Sequence, residues 1–434
     1  MSAIPDESAH DPAGLPTGRS EMRASRMNPD RFDVVIVGAG VAGSMAATLA
    51  AREGLRTLLV ERQSFPRQKV CGCCLNGRAV AMLQQAGLDK GLADLRPSET
   101  SSLAVRCRGS KLDLSMPRNV AVSRWKLDHW LSQEAVSAGA EFRQNTLASV
   151  VPQPDEISET ATSGSGTSPS FVAAKGNSQE PLRTVELRST QDSQKFEVVQ
   201  AKILLICDGL GHPSLSRLTG FQAPPVHGAR IGLGTTVARS AADLWIAPHS
   251  ILMAIAPHGY AGVVEIEDGQ LDIAAAVDAS HLNSTKSPLR TLQQIFESAG
   301  VPCPSGLSSA SVKGTIPLTR MATRITGHRM LLLGDATGYI EPFTGEGMAW
   351  ALTAATAVIP FVKAGVEEWT SALEAEWSSS FRRIVASEQR TCRLLSSALR
   401  HSRLLPALMM FFRMFPRLTQ GLVHRINRVP QFGH

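Results

Sequence analysis

The chain has 434 residues, 43% hydrophobic and 19% charged. That is enough apolar material for two or three domains, or one large α/β unit with insertions, and it excludes global disorder. Lys plus Arg number 44 against 38 Asp plus Glu, a formal charge of +6, too small an excess to argue for nucleic acid as a partner. The seven cysteines, at 71, 73, 74, 107, 207, 303 and 392, are odd in number and scattered. They argue against a disulfide framework and for a reducing, cytoplasmic compartment.

Residues 1–30 contain Pro5, Pro12 and Pro16 and no apolar core, so they read as a disordered leader rather than a secretory signal. No window reaches 18 unbroken apolar residues, and no transmembrane helix is expected. Residues 32–37 form a β-branched run, 41–53 an Ala-rich helix and 55–60 a second buried strand; strand, glycine turn, helix and strand in that order predict a parallel sheet. Residues 103–116 predict a hairpin turning at Gly109-Ser110, and 125–138 a helix ended by Gly139. The Ser, Thr, Gly and Pro-rich stretch 152–180 reads as a flexible inserted loop. Strands are expected at 196–199 and 203–207, in a β-rich block over 230–277 with turns at His258-Gly259 and Asp268-Gly269, and at 330–333. Between the last two a helix is expected near 289–299, and the remainder of the chain is helical in character.

Gly38-Ala39-Gly40-Val41-Ala42-Gly43 leaves the first strand and opens the helix, the context a dinucleotide fingerprint requires. Gly38 permits the tight turn, Gly40 lets backbone amides approach a diphosphate, and Gly43 allows helix and strand to pack closely. The positive end of the helix dipole faces the same point. Glu61, 23 residues after Gly38 and followed by Arg62, would accept a hydrogen bond from a free ribose hydroxyl and repel a 2′-phosphate, favouring NAD or FAD over NADP. Far downstream, Gly334-Asp335 follows the buried run 331–333, and Pro342, Gly345 and Gly347 precede a helix spanning Met348 to residue 362. Asp335 is suited to a polyol hydroxyl, and the helix N-terminus to an electron-rich ring edge. Two separated half-sites for one long cofactor favour FAD over NAD.

With these motifs the sequence resembles the flavoproteins of the p-hydroxybenzoate hydroxylase fold, and within them the geranylgeranyl reductase-like branch, over residues 31–362. Pro66-Arg67-Gln68-Lys69-Val70-Cys71-Gly72 is similar to the branch's segment that approaches the flavin ring. Cys207-Asp208-Gly209 with Ser214 and Arg217 matches the family's Asp-Gly motif, and Arg124 with Asp128 resembles a flavin-facing arginine on a helix. The resemblance implies FAD bound by Gly38, Gly40, Gly43, Glu61, Arg62, Arg67, Lys69, Arg124, Asp208, Gly209, Gly334, Asp335, Pro342, Gly345, Gly347 and Met348. It also places Cys71 and Gly72 at the reacting centre, with Cys71 as proton donor or packing element. The expected fold is α/β: a Rossmann-type FAD-binding domain over 31–229 and 317–366, an inserted, mostly antiparallel β substrate domain over 230–316, and a helical C-terminus over 367–434. The hairpin, taken as 101–118, joins the substrate sheet. Gly259-Tyr260 is followed by Ala261 rather than the aromatic common in reductases of the branch.

Cys73 and Cys74 read as small apolar residues against the cofactor, since three thiolates within four positions lack a fourth metal ligand. His129, His212 and His258 read as surface or satisfied side chains rather than catalytic bases. Gly232-Leu233-Gly234 is not followed by a helix, so NAD(P)H, or a reduced protein donor, must dock transiently to supply electrons. The expected activity is reduction of carbon–carbon double bonds in a lipophilic substrate. The alternative is hydroxylation by a flavin monooxygenase of an aromatic or polyketide-type substrate, with halogenation and flavin binding without turnover ranking behind it. From residue 381 to the end there are ten Arg, no Lys and one acid, Glu388, so the basic excess is a property of this segment. It is amphipathic, with either its apolar face docked on the enzyme or its basic surface on anionic lipid as a peripheral contact.

Overall fold

The β-branched run after Pro29 enters as strand β1 (Asp30–Val37), followed by α1 (Val41–Arg52) and β2 (Thr57–Val60). The computed structural model describes residues 29–153, 156, 182–341, 345–390, 392–393, 405–415 and 421. Almost all of the expected leader and inserted loop, Pro342, and much of the basic C-terminal segment therefore lie outside the described residues. The chain continues through β3 (Ser98–Cys107), β4 (Ser110–Ala121), α2 (Arg124–Ser137) and β5 (Phe196–Ile206). Next come β6 (Ile231–Ala238), β7 (Ser250–Ala256), β8 (Gly259–Ile266), β9 (Gln270–Val277) and α3 (Pro288–Ala299). The last main elements are β10 (Met330–Leu332), α4 (Gly347–Ala357) and α5 (Leu405–Met414).

In the first sheet β1 lies between β2 and β5, parallel to both, with β10 parallel on the far side of β5. Successive residues of β1 face opposite cores. Val34 and Ile36 join α1, α2 and α4, whereas Val35 and Val37 join a second cluster with Leu204 and Ile206, as a sheet covered on both faces requires. Ala46, Ala47 and Ala50 of α1 are fully buried, and their small side chains let the neighbouring helices approach closely. The second sheet runs Lys313–Pro317, β6, β9, β8, β7, β3, β4 and Cys74–Leu75. It is antiparallel except where β7 lies parallel to β3, with Ile251 beside Leu103. One face packs on α3 through Leu292, Ile295 and Phe296. The other carries Val105, Leu112, Met253, Ile255 and Tyr260 and meets Leu405 and Met409 of α5.

Two elements differ from expectation. Residues 196–207 hold one strand, β5, because Gln200 and Lys202 are partly exposed while Val199, Ala201 and Ile203 are buried, so polar residues alternate outward without breaking the ladder. The stretch Gly347–Glu367, 21 residues at a mean hydropathy of 1.5, is long and apolar enough to cross a membrane. It packs instead in the first core, where Leu352, Ala355, Val358 and Val362 are fully buried.

Candidate active site

The glycine turn between β1 and α1 is held from both sides. Gly38, at φ 101°, donates its N–H to Val60 O at 2.7 Å, and a Cβ there would lie 2.4 Å from Cys207 O. A Cβ on Gly43 would lie 1.8 Å from Gly38 O, so the start of α1 rests directly on the turn. No side chain caps α1, and its first amides remain donors for an anion. Glu61, at the end of β2, accepts from Ala39 N at 3.1 Å and Gln63 N at 3.0 Å. Its carboxylate is thereby fixed beside the fingerprint.

A buried charge network closes the turn. Arg124 donates through Nε and Nη2 to the two oxygens of Asp128, both at 2.7 Å. Arg67 lies 3.1 Å from Asp128 and 3.7 Å from Glu61, and its guanidinium faces the Phe65 ring at 5.1 Å. Both guanidinium groups come within 3.7 Å of the position a Gly40 Cβ would take. Two arginines and a helix N-terminus thus converge where the sequence places a diphosphate.

The second half-site assembles from the ends of β5 and β10. Asp208 Oδ2 accepts from Ser214 N at 2.9 Å, while Oδ1 is buried without a partner; burial pushes its carboxyl up to about 6. Gly209 follows at φ 85°, and Arg62, although exposed, contributes a favourable charge toward Asp208. Gly334 lies at φ 58° against Ala42, and Asp335 pairs with Lys69 at 3.2 Å. Gly345, at φ 74°, faces Cys74, and Gly347 and Met348 open α4, whose N-terminus also has no side-chain cap. His212, expected to be a surface or satisfied side chain, is instead 2% exposed beside Ala336 with neither ring nitrogen hydrogen-bonded, and burial lowers its pKa.

Between the two sheets lies a cavity of about 320 Å³. Lys69, Cys71, Gly72, Arg124, Asp335, Gly345, Gly347 and Met348 line one side. The opposite wall is the open face of the second sheet, with Leu103, Leu114, Ile251, Met253 and Val264, and α5 adds Leu408 and Phe412. Alternate residues Asp272, Ala274 and Ala276 of β9 face it, as does Gly262 of β8; their small size leaves room for a ligand. Gly38, Gly40, Gly43, Glu61, Arg67, Asp208, Gly209 and Gly334 sit in the turns described above rather than along this wall. The expected residues therefore divide between the glycine turns and the cavity wall.

Cys71 is part-buried at the cavity; the neighbouring Cys73, whose thiol donates to the Cys71 carbonyl at 3.7 Å, and the positive charge of Arg124 hold its thiol down to about 5. The partner thiol of Cys73 is raised in turn by Cys71 and by burial, and burial raises Cys74. Several cavity residues were missed in the sequence. Asp272 is 8% exposed with Oδ2 unpartnered, and Glu341 pairs with the buried Arg230 at 3.2 Å. A charged residue inside the apolar run of β9 was the available signal for Asp272. Nothing local marks the second pair, whose members lie 111 positions apart.

Uncapped amides, a buried unpartnered carboxylate oxygen and paired arginines fit the phosphates and polyol of FAD. The FAD binding domain family matches residues 31–175. The menaquinone reductase of Mycolicibacterium smegmatis is 27% identical over 362 residues, covering 79% of each chain. Digeranylgeranylglycerophospholipid reductase 1 of Methanopyrus kandleri is 26% identical over 330 residues, covering 74% of this chain and 77% of its own. The solved anhydrotetracycline hydroxylase from Streptomyces rimosus has the same fold, with a TM-score of 0.66 at 19% identity over 93% of this chain and 78% of that one. Motifs, geometry and relatives agree: the chain is an FAD-dependent oxidoreductase of the p-hydroxybenzoate hydroxylase fold.

Proposed function

We propose that the enzyme reduces carbon–carbon double bonds in a lipophilic, isoprenoid-bearing substrate. The observation that carries this reading is the cavity: aliphatic side chains of β3, β4, β7 and α5 form one wall, and Cys71, Arg124 and Asp335 stand at the other. An unsaturated hydrocarbon chain would be held there by burial of apolar surface. The relatives named above, one a menaquinone reductase and one a digeranylgeranylglycerophospholipid reductase, support the same substrate class. FAD, when bound, supplies two-electron chemistry. The α1 amides, Arg67 and Arg124 would hold its phosphates, Asp208 and Asp335 its polyol, and the α4 N-terminus its ring. Cys71 would stand at the cavity as the protein's proton donor to the substrate, taking up a proton from solvent in each turnover because its thiol is held down to about 5. NAD(P)H or a reduced protein donor would dock transiently to supply electrons.

Anaerobic turnover tests this reading. FAD-loaded protein reduced with dithionite and given menaquinone should yield a product two hydrogens heavier per double bond. The gain should survive reoxidation in air, which returns any reduced ring to the quinone. A strict O₂ requirement with one oxygen atom incorporated would instead establish a monooxygenase.

We also propose that the C-terminal segment touches membranes at the cavity mouth. Leu405 and Met409 of α5 are buried on the second sheet, while Met410, Phe411, Met414 and Phe415 are 60%, 43%, 64% and 48% exposed. Basic residues flank this strip in the sequence, which favours an anionic lipid surface. Full-length protein should sediment with phosphatidylglycerol vesicles and a Met410→Ser/Phe411→Ser/Met414→Ser variant should not. Equal, negligible sedimentation of both would end the membrane proposal.

A further inference from the structure

The cavity wall on the second sheet is a regular grid, and one position in it is charged. Strand pairing sets Asp272 of β9, Val264 of β8, Ile251 of β7, Leu103 of β3 and Leu114 of β4 side by side in one row. All five face the cavity. The next two rows hold Ala274, Gly262 and Met253, then Ala276, Tyr260 and Ile255. Among the described residues that β3, β4 and β6 to β9 bring to the cavity, Asp272 is the only Asp, Glu, Lys, Arg or His.

The two ends of the grid differ. Val264 of the first row clusters with Cys73, and Cys71, Cys74 and Ile251 pack against the same cluster. The third row lies instead under Leu405 and Met409 of α5. Four residues of strand, about 14 Å, separate Asp272 from Ala276. The wall thus begins with a carboxyl group beside the Cys71–Cys74 segment and continues as apolar surface to the C-terminal helix.

Asp272 is 8% exposed, and its Oδ2 has no hydrogen-bond partner among the described residues. Its ladder neighbours, Val264 and Thr236, bring no countercharge. A carboxyl group left this way in an apolar wall costs stability, and an aliphatic residue of similar size would not. The position therefore has a use beyond packing.

We propose that Asp272 is a specificity residue that hydrogen-bonds the oxygen of a carbonyl- or hydroxyl-bearing head group, with the substrate's hydrocarbon lying along the grid toward α5. The proposal rests on the reading of the cavity as the site of a lipophilic, isoprenoid-bearing substrate. Burial, with the Cys71 and Glu267 charges adding, pushes Asp272 well above the ordinary carboxylate range. A neutral carboxyl group can donate to a carbonyl or accept from a hydroxyl. An oxygen-free hydrocarbon leaves it unpaired, and a site built around such a bond discriminates against a ligand that lacks it.

Binding of two radiolabelled lipids to the full-length, FAD-loaded enzyme in detergent micelles tests the anchor. The probes are menaquinone and squalene, an isoprenoid hydrocarbon without oxygen. Asp272→Leu should bind menaquinone about tenfold more weakly and squalene no more weakly. Its melting temperature without lipid should rise, since a buried polar group has been removed; a residue kept for the fold alone would show the opposite. Asp272→Asn retains a donor and an acceptor and should keep most of the menaquinone affinity.

Wild-type menaquinone affinity in Asp272→Leu, or an equal loss of both lipids, would overturn the anchor. Should menaquinone bind through Asp272 and emerge from anaerobic turnover without added hydrogen, the reduction reading fails and the anchor stands. Hydrogenation with an unchanged kcat/KM in Asp272→Leu has the reverse meaning. Failure of menaquinone to bind the wild type overturns the anchor, and squalene binding then decides whether the cavity takes isoprenoid lipids at all.

Discussion

Gly43→Val should yield a protein without bound flavin, its visible absorbance lost and its affinity for FAD down at least about 1,000-fold, because the turn and the free α1 amides, which we propose hold the FAD phosphates, both depend on this contact. Even the first carbon of the new side chain would sit 1.8 Å from Gly38 O and 3.2 Å from the Cys207 Cβ. The turn cannot retreat, since Gly38 N is bonded to Val60 O and the Gly38 Cα already abuts Cys207 O. The start of α1 must therefore move outward and carry its free amides away from the site. Gly54→Ala is the control: Gly54, unlike the helical Gly43, is left-handed, at φ 79°, but nothing lies within 4 Å of its added carbon. It should cost about 1 kcal/mol and keep its FAD. Titration of both apoproteins with FAD by flavin fluorescence checks the pair, and stoichiometric, wild-type binding in Gly43→Val would refute the assignment.

The geometry of the glycine turn was legible in the sequence because its contacts are local. The fingerprint from Gly38 to Gly43 joins β1 directly to α1, and Glu61 lies 22 positions from the Ala39 amide it accepts. Strand, turn and helix propensities are enough to place these groups together. The cavity is different in kind. Its wall draws alternate residues from β3, β4, β7, β8 and β9, and α5 closes it from more than a hundred positions downstream of β9. Period-2 alternation identifies two faces of β9 but not which one meets helix α3 and which meets the ligand. Leu271 and Ile273 went to the helix and Asp272 and Ala274 to the cavity, an outcome set by strand order in the sheet. The amphipathic pattern of α5 was likewise visible, whereas its seat on Val105 and Tyr260 depends on tertiary packing alone. The apolar helix at 347–367 shows the converse: its composition admits a membrane, and its burial beside α1 decides against one.

Arg124→Met should be among the most destabilising single substitutions at the site, and its effect should be largely reversible by a second one. The network holds two carboxylates, Glu61 and Asp128, against two guanidinium groups, Arg67 and Arg124. Asp128 is fully buried, so removing its bidentate partner leaves a carboxylate with only Arg67 at 3.1 Å. Breaking a buried pair from one side costs about 3–5 kcal/mol, because the remaining charge is desolvated without compensation. Replacing both partners by apolar groups of similar size avoids that cost. Arg124→Met/Asp128→Leu leaves Glu61 and Arg67 balanced, and should recover most of the melting temperature lost in the single variant. It should not recover the low midpoint of Cys71, whose positive neighbour is Arg124 itself. Thermal melts and pH-dependent alkylation of the wild type and both variants therefore separate the two duties of this side chain. If the double variant melts no higher than Arg124→Met, charge imbalance is not the source of the loss; if the Cys71 midpoint returns with stability, Arg124 acts on the thiol only through the fold.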